Sequence, residues 1–319
     1  MKRIRFWGTR GSLPIALTAS GVRHKLMHAL RSAAGRSFTS DDELAAYVDG
    51  LAWHVSGTYG GHTSCVEIET GGTEYILCDL GSGLRPFGQQ IMARHGPASP
   101  QTYHVFMSHV HWDHIMGFPF FTPAYIPGNH IRIYGAHAVL EEAFRRQQAA
   151  PSFPVDFSIL GADIEFVRLE PGRRYDIAGL SVSLMRQRHG GDSYGYRFTS
   201  GGKTVIYSTD SEHALNDLSE TNAFVDFFRD ADVVIFDAMY SLADAISVKA
   251  DWGHSSNIVG VELCQMAGAR HLCLFHHEPA NTDEVLDRIL SETRRLEAIT
   301  RTRQPLLVTA AYDGMEIDL

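Results

Sequence analysis

Five short apolar runs, each closing on a polar residue, constrain the fold of this chain more than any other feature. Tyr75-Ile76-Leu77-Cys78 closes on Asp79, and Val105-Phe106-Met107 on Ser108-His109. Val205-Ile206-Tyr207 leads to Thr209-Asp210, Val233-Val234-Ile235-Phe236 to Asp237, and Leu272-Cys273-Leu274-Phe275 to His276. Runs of that length, with β-branched and aromatic residues, read as buried strands. Their polar residues sit at the C-terminal ends, where α/β sheets usually build sites. Helices fall between them. Ser255 or Ser256 can cap one that carries Ile258, Val261 and Met266, with Gly268 as its stop. Val285, Ile289 and Leu296 mark a further apolar face near the C-terminus. The expected class is α/β.

Composition narrows the rest. At 319 residues the chain suits one large α/β domain as well as two smaller ones. Hydrophobic residues make up 44% and charged ones 20%, which argues against long disorder. The net charge of −9 works against a polyanionic partner, so nucleic acid is not the expected ligand. No stretch approaches the ~18 apolar residues of a membrane span, and the opening residues lack an apolar run of signal-peptide length. Cys65, Cys78, Cys264 and Cys273 show no CxxC spacing. Cys78 and Cys273 lie inside strand patterns and read as reduced core residues. A cytoplasmic protein with no membrane partner is the expectation.

Residues 15–56 look different. Val22, Leu26, Leu30 and Ala33 recur at helical spacing before Gly35. Ser40-Asp41-Asp42-Glu43 then forms a capping box ahead of Leu44, Tyr47, Val48 and Leu51. Two short amphipathic helices are expected here, between a strand at residues 4–7 and another at 65–69. They read as a surface hairpin without function, a lid over a site, or the arm of a homodimer.

The strongest chemical signal is Ser108-His109-Val110-His111-Trp112-Asp113-His114, directly after a strand. Neutral imidazole and carboxylate suit Zn²⁺, Mn or Fe. On a loop, His109 and His111 can point at one ion, while Asp113 and His114 turn toward a second. Further ligands should lie at later strand ends, where His189, Asp210 and His276 stand. A carboxylate such as Asp210 can bridge two cations.

His-x-His-x-Asp-His followed by His, Asp and His resembles the metallo-β-lactamase fold superfamily, over nearly the whole chain. That resemblance implies a four-layer αββα sandwich, a single metallo-hydrolase domain over residues 1–319 with a helical insertion at about 15–56, and two divalent metal ions. It implies His109, His111 and His189 on the first metal, Asp113, His114 and His276 on the second, and Asp210 between them. His277 is an alternative to His276. Asp79 is read as a residue that orients a ligand histidine.

A narrower resemblance is to the tRNase Z-like and cyclic phosphodiesterase branch. Phe236-Asp237-Ala238-Met239 looks like the His-Glu-Ala-Thr motif of tRNase Z enzymes, and Gly253-His254-Ser255-Ser256 like their Gly-His-Ser-Thr segment. Only Asp237 and His254 carry over, with the roles the group gives them: a carboxylate holding a histidine that is the general acid. Phe236 and Met239 depart from the pattern, and Asp237 is one methylene shorter. Trp7-Gly8-Thr9-Arg10-Gly11-Ser12 and the segment from Tyr59 to Cys65 resemble glycine-rich walls of such sites, with His62 a pocket candidate.

Two cations can hold a water between them and bring its pKa near ~7 for attack at phosphorus or a carbonyl. An alkoxide leaves poorly unless protonated, and an Asp237–His254 pair would supply that proton. Thiolates need no such help. The expected function is therefore a dinuclear phosphodiesterase acting on a small or cyclic phosphodiester. The runner-up is hydrolysis of a lactone, thioester or β-lactam. A di-iron sensor is disfavoured because His111 stands where redox members carry Glu. A tRNA 3′-processing nuclease lacks its basic or Gly/Pro-rich arm here.

Overall fold

A computed structural model describes residues 1–213, 217–239 and 254–319. Among these, β1 (Arg3–Gly8), β2 (Cys65–Glu69), β3 (Tyr75–Cys78), β4 (Thr102–Phe106), β5 (His130–Gly135) and β6 (Asp163–Arg168) build one sheet. A second holds β7 (Arg174–Ile177), β8 (Leu180–Gln187), β9 (Ser193–Ser200), β10 (Lys203–Ser208), β11 (Val233–Asp237), β12 (His271–Phe275) and β13 (Leu307–Ala310). Last in the chain, β14 (Glu316–Asp318) returns to pair antiparallel with β1 and completes the first sheet.

Among the described residues the α-helices are α1 (Ala19–Ser32), α2 (Asp41–Asp49), α3 (Trp53–Ser56), α4 (Leu84–His95), α5 (Trp112–Ile115), α6 (Leu140–Gln147), α7 (Leu218–Phe228), α8 (Asn257–Ala267) and α9 (Asp283–Thr300). Side chains alternate across each strand, and that alternation builds the layers. Ile76 and Cys78 of β3, Ile235 of β11, and Cys273 and Phe275 of β12 meet in a core between the sheets. Leu77 points the other way, to a layer under α4 and α6. Val234, Phe236, Leu272 and Leu274 do the same beneath α7, α8 and α9. Strands covered on both faces need apolar residues at every position, hence the continuous runs in the sequence. The result is the expected αββα sandwich.

Ser256 caps α8 by accepting from Val259 N, and Gly268 ends it in the left-handed conformation. Met266 is 51% exposed, however, so the inner face of α8 is Val261, Leu263, Cys264 and Ala267 rather than Met266. All four cysteines are free and buried. No helix among the described residues is long and apolar enough to cross a membrane.

Pairing direction places the site. β3 and β4 are parallel neighbours, as are β10, β11 and β12. Parallel strands end on the same side, so Asp79, the residues after Phe106, Asp210, Asp237 and His276 come to one rim.

Candidate metal centre

Three residues of this rim turn sharply as their strands end. Asp79, Asp210 and His276 have φ of 57°, 51° and 59°, a region that non-glycine residues seldom occupy. Each such turn costs on the order of 1–3 kcal/mol, a cost tolerated chiefly where geometry serves function. Gly11 lets the first strand's exit pass close: a Cβ there would lie 2.4 Å from the His276 ring. Only glycine fits.

His109, His111 and His189 form one group whose donor atoms lie within 4.8 Å of one another. His189 Nε2 is 3.1 Å from His111 Nδ1, and both His109 Nε2 and His189 Nε2 are 3.7 Å from Asp210 Oδ1. Burial, reinforced by His114, holds the His109 imidazole well below its ordinary pKa, and burial with His189 lowers His111. Both are therefore neutral lone-pair donors. A hydrogen-bond chain fixes the tautomer of His109. Ser108 Oγ donates to Asp79 Oδ2 at 2.6 Å, which leaves Oγ to accept from His109 Nδ1 at 3.0 Å. His109 Nε2 is then a buried lone pair with no hydrogen-bond partner among the described residues.

Asp113, His114 and His276 form the second group. His114 Nε2 lies 3.3 Å from both His276 Nε2 and Asp113 Oδ2, and 3.2 Å from Asp210 Oδ2. His276 Nε2 is 3.3 Å from that same oxygen. The two oxygens of Asp210 thus divide, Oδ1 toward the first group and Oδ2 toward the second. Burial alone would raise the carboxyls of Asp113 and Asp210. The surrounding histidines outweigh it and hold both well below the usual range. Burial likewise works to lower His114, but Asp210, Asp113 and Asp79 outweigh it and raise that imidazole well above its ordinary value. Convergent ionised carboxylates, the neutral imidazoles of His109 and His111 and an orphaned buried nitrogen fit a divalent cation of the zinc, manganese or iron kind.

Asp79 stands behind the rim. It takes Nδ1–H of His114 at 2.8 Å, Ser108 N at 2.7 Å and Tyr207 Oη at 2.7 Å. That is the orienting position expected of it.

His254 lies beside both groups, its ring 5.1 Å from His189, edge-on, and stacked at 5.2 Å on His276. Its Nδ1 is 2.8 Å from Asp237 Oδ2. Asp237 is fully buried and also accepts from Ser211 N and Met239 N. Burial lowers the His254 imidazole, but Asp237 and then Asp210 outweigh it and hold it at about 9. Gly253, which opens that motif, lies outside the described residues.

The structure thus brings together the six residues of the two groups and Asp210, with Asp237 and His254 alongside. His277 goes elsewhere: its Nε2 donates to Ala311 O, and burial with Arg10 nearby lowers it to about 3. His62 bonds Ser82 Oγ and joins neither group. Two residues of the 7–12 segment, read from the sequence only as a wall of the site, make specific contacts there. Ser12 N donates to Asp113 Oδ2 at 2.8 Å. Buried Arg10 donates to Gly60 O, Glu278 O and Asn281 O, fixing the loop after His276. Their signal was the Thr9-Arg10-Gly11-Ser12 turn, in which Ser12 acts through its backbone N–H and Arg10 through its guanidinium.

The family profile described as beta-lactamase superfamily domain matches residues 74–277. Ribonuclease Z of Geobacillus kaustophilus (strain HTA426) is 22% identical over 240 residues, 60% of this chain and 75% of that protein. The probable metallo-hydrolase YhfI of Bacillus subtilis (strain 168) is 25% identical over 236 residues, 70% of this chain and 85% of its own. The crystal structure of YhfI, a metallo-beta-lactamase fold protein, superposes with a TM-score of 0.66 at 18% identity, covering 99% of this chain and 98% of that one. Unliganded yeast PDE1 superposes with a TM-score of 0.65 at 15% identity over 100% and 99%. With the sandwich, the rim and a profile that spans more than half of its length, the chain belongs to the beta-lactamase superfamily domain family.

Proposed function

We propose that this metal-dependent hydrolase of the beta-lactamase superfamily cleaves small phosphodiesters on two divalent cations, zinc foremost. His109, His111 and His189 would hold one ion and Asp113, His114 and His276 the other, with Asp210 facing both. When bound, such a pair supplies Lewis acidity and a water acidic enough to ionise near neutral pH. Asp79 holds His114 in the tautomer that presents Nε2 to the rim.

The observation that carries the reading is the Asp237–His254 pair beside both groups. Nδ1 is engaged by the carboxylate, so the proton given to a leaving oxygen is the one on Nε2. Cleavage of a phosphodiester by water forms one P–O bond and breaks another, and the departing alkoxide takes that proton. A thiolate or activated lactam has far less use for it. A ribonuclease among the relatives supports the same bond type.

Substrate size follows from charge and space. A cleft of about 600 Å³ opens beside His111, lined by Trp112, Met116, Phe120, Phe153, Arg146 and Gln147. Its volume suits one apolar or aromatic group with an anion rather than a polynucleotide. The net charge of −9 agrees. Buried free cysteines support a cytoplasmic setting.

The test is His254→Ala on protein of measured metal content. Turnover of an alkyl phosphodiester should fall about 10²–10⁴-fold with both metals retained. Bis-p-nitrophenyl phosphate, whose leaving group needs little protonation, should lose far less. Equal losses on both would refute the acid role, and metal loss would move His254 among the ligands. Clear lactone or thioester hydrolysis by the wild type, without phosphodiester turnover, would replace the reading.

A further inference from the structure

No residue of α1 or α2 is fully buried, and Lys25 ties α1 to the rest of the chain. Yet both carry aliphatic stripes at i, i+4 spacing. Val22, Leu26 and Leu30 are 43%, 59% and 67% exposed, and Leu44 and Val48 are 45% and 39% exposed. Both helices are deliberately started, by Thr18 and Ser40 accepting from Gly21 N and Glu43 N. They are also joined to each other, through Ser32 Oγ and Tyr47 Oη at 2.8 Å and by Phe38 packed on Tyr47. Helices of 14 and 9 residues are marginal in water without an apolar face to bury. Single exposed leucines are ordinary, but aligned stripes on two adjacent helices call for a cover.

Charge says what the cover is. Residues 11–40 contain Arg23, Lys25, Arg31 and Arg36 and no acidic residue. Residues 37–84 contain Asp41, Asp42, Glu43 and Asp49 in α2 and no lysine or arginine. The hairpin is thus half basic and half acidic. In a two-fold pair each contact is made twice, so such a surface complements itself. A surface of one sign, such as anionic lipid, would be repelled by half of it.

We propose that the α1–α2 hairpin is the docking surface for a second copy of this chain, with α1 of one protomer lying on α2 of its partner about a two-fold axis. The stripes then bury each other while Arg23 and Arg31 face the acidic first turn of the opposing α2. The pairing is independent of the reaction proposed above.

Light scattering and sedimentation of the full chain test it. The wild type should run as a dimer, and Leu26→Asp or Leu30→Asp as monomers with unchanged circular dichroism, since neither side chain is buried in its own chain. Two charge variants decide specificity. Arg23→Glu with Arg31→Glu makes both helices acidic, and Asp41→Lys with Asp42→Lys makes the first turn of α2 basic to match α1. Each variant alone should be monomeric, and an equimolar mixture should regain the dimer. A wild type that stays monomeric across micromolar concentrations overturns the proposal, as does a dimer that survives Leu26→Asp. A monomeric wild type that binds phosphatidylserine vesicles reassigns the surface to lipid.

Discussion

Asp210 and Asp79 do different work with the same functional group. Asp210 offers one oxygen to each histidine group, so its removal strips a donor from both. Elemental analysis should find two metals per wild-type chain and at most one in Asp210→Ala. A stoichiometry that stays near zero after incubation with Zn²⁺, Mn²⁺ or Fe²⁺ would refute the assignment. Asp79 touches neither group's donor atoms except through the far nitrogen of His114. Asp79→Asn should therefore keep the fold and weaken metal affinity by about 10–100-fold, the usual effect of losing a ligand's orienting partner. The cluster at residues 109–114 stood out because four candidate donors in one short run have no packing explanation. Ser12 was not, since it contributes a backbone N–H at φ 57°. His276 was preferred to His277 because it directly follows the strand run, and the fold gives the physical reason. Adjacent residues leave a strand in opposite directions, and only the left-handed turn at His276 aims its ring at the rim.

Among the elements, the central strands were legible and the edges were not. β11 and β12 are covered on both faces and read as unbroken apolar runs. β14 has one buried residue and exists through its pairing with β1, where Arg3 meets Glu316 and Asp318. Nothing local in Glu316-Ile317-Asp318 announces it. The 15–56 segment also divides in a way periodicity cannot show. No residue of its first two helices is fully buried. α3, by contrast, buries Val55, packs Trp53 on Tyr312, and ties His54 to Asp287 of α9. Lys25 anchors α1 to the same helix, 2.7 Å from buried Asp283 and bonded to His54 O and Gly57 O. Neighbouring positions should thus behave oppositely. Lys25→Met removes two hydrogen bonds to backbone carbonyls and the ion pair with buried Asp283, and should cost about 1–3 kcal/mol. Leu26→Asp, measured as monomer against monomer, should stay within about 0.5 kcal/mol. Denaturant unfolding of both variants checks this. Equal losses would mean that the outer face of α1 packs on its own chain after all.

For the whole molecule, the decisive fact is that the candidate ligands come from both sheets. His109, Asp113 and His114 follow β4 of the first sheet, whereas Asp210 and His276 follow β10 and β12 of the second. The interface between the sheets is an apolar layer, crossed by the hydroxyls of Tyr196 and Tyr207, which donate to Met107 O and Asp79 Oδ2. Across the rim, ions held from both sides would join the two sheets, and they bind only when the sheets are assembled. Ligand binding to the folded state alone adds about 4 kcal/mol of stability at a thousand times Kd. At roughly 2–4 °C per kcal/mol for a chain approaching this size, loading chelated protein with Zn²⁺ should raise Tm by about 10 °C. In Asp210→Ala the gain should shrink, because the residue facing both groups is gone. His62→Ala, whose ring bonds Ser82 and joins neither group, should keep the full gain. A Tm unmoved by Zn²⁺ in protein shown to have taken up two ions would mean that each ion is held from one sheet only, and the bridging geometry of Asp210 would have to be abandoned.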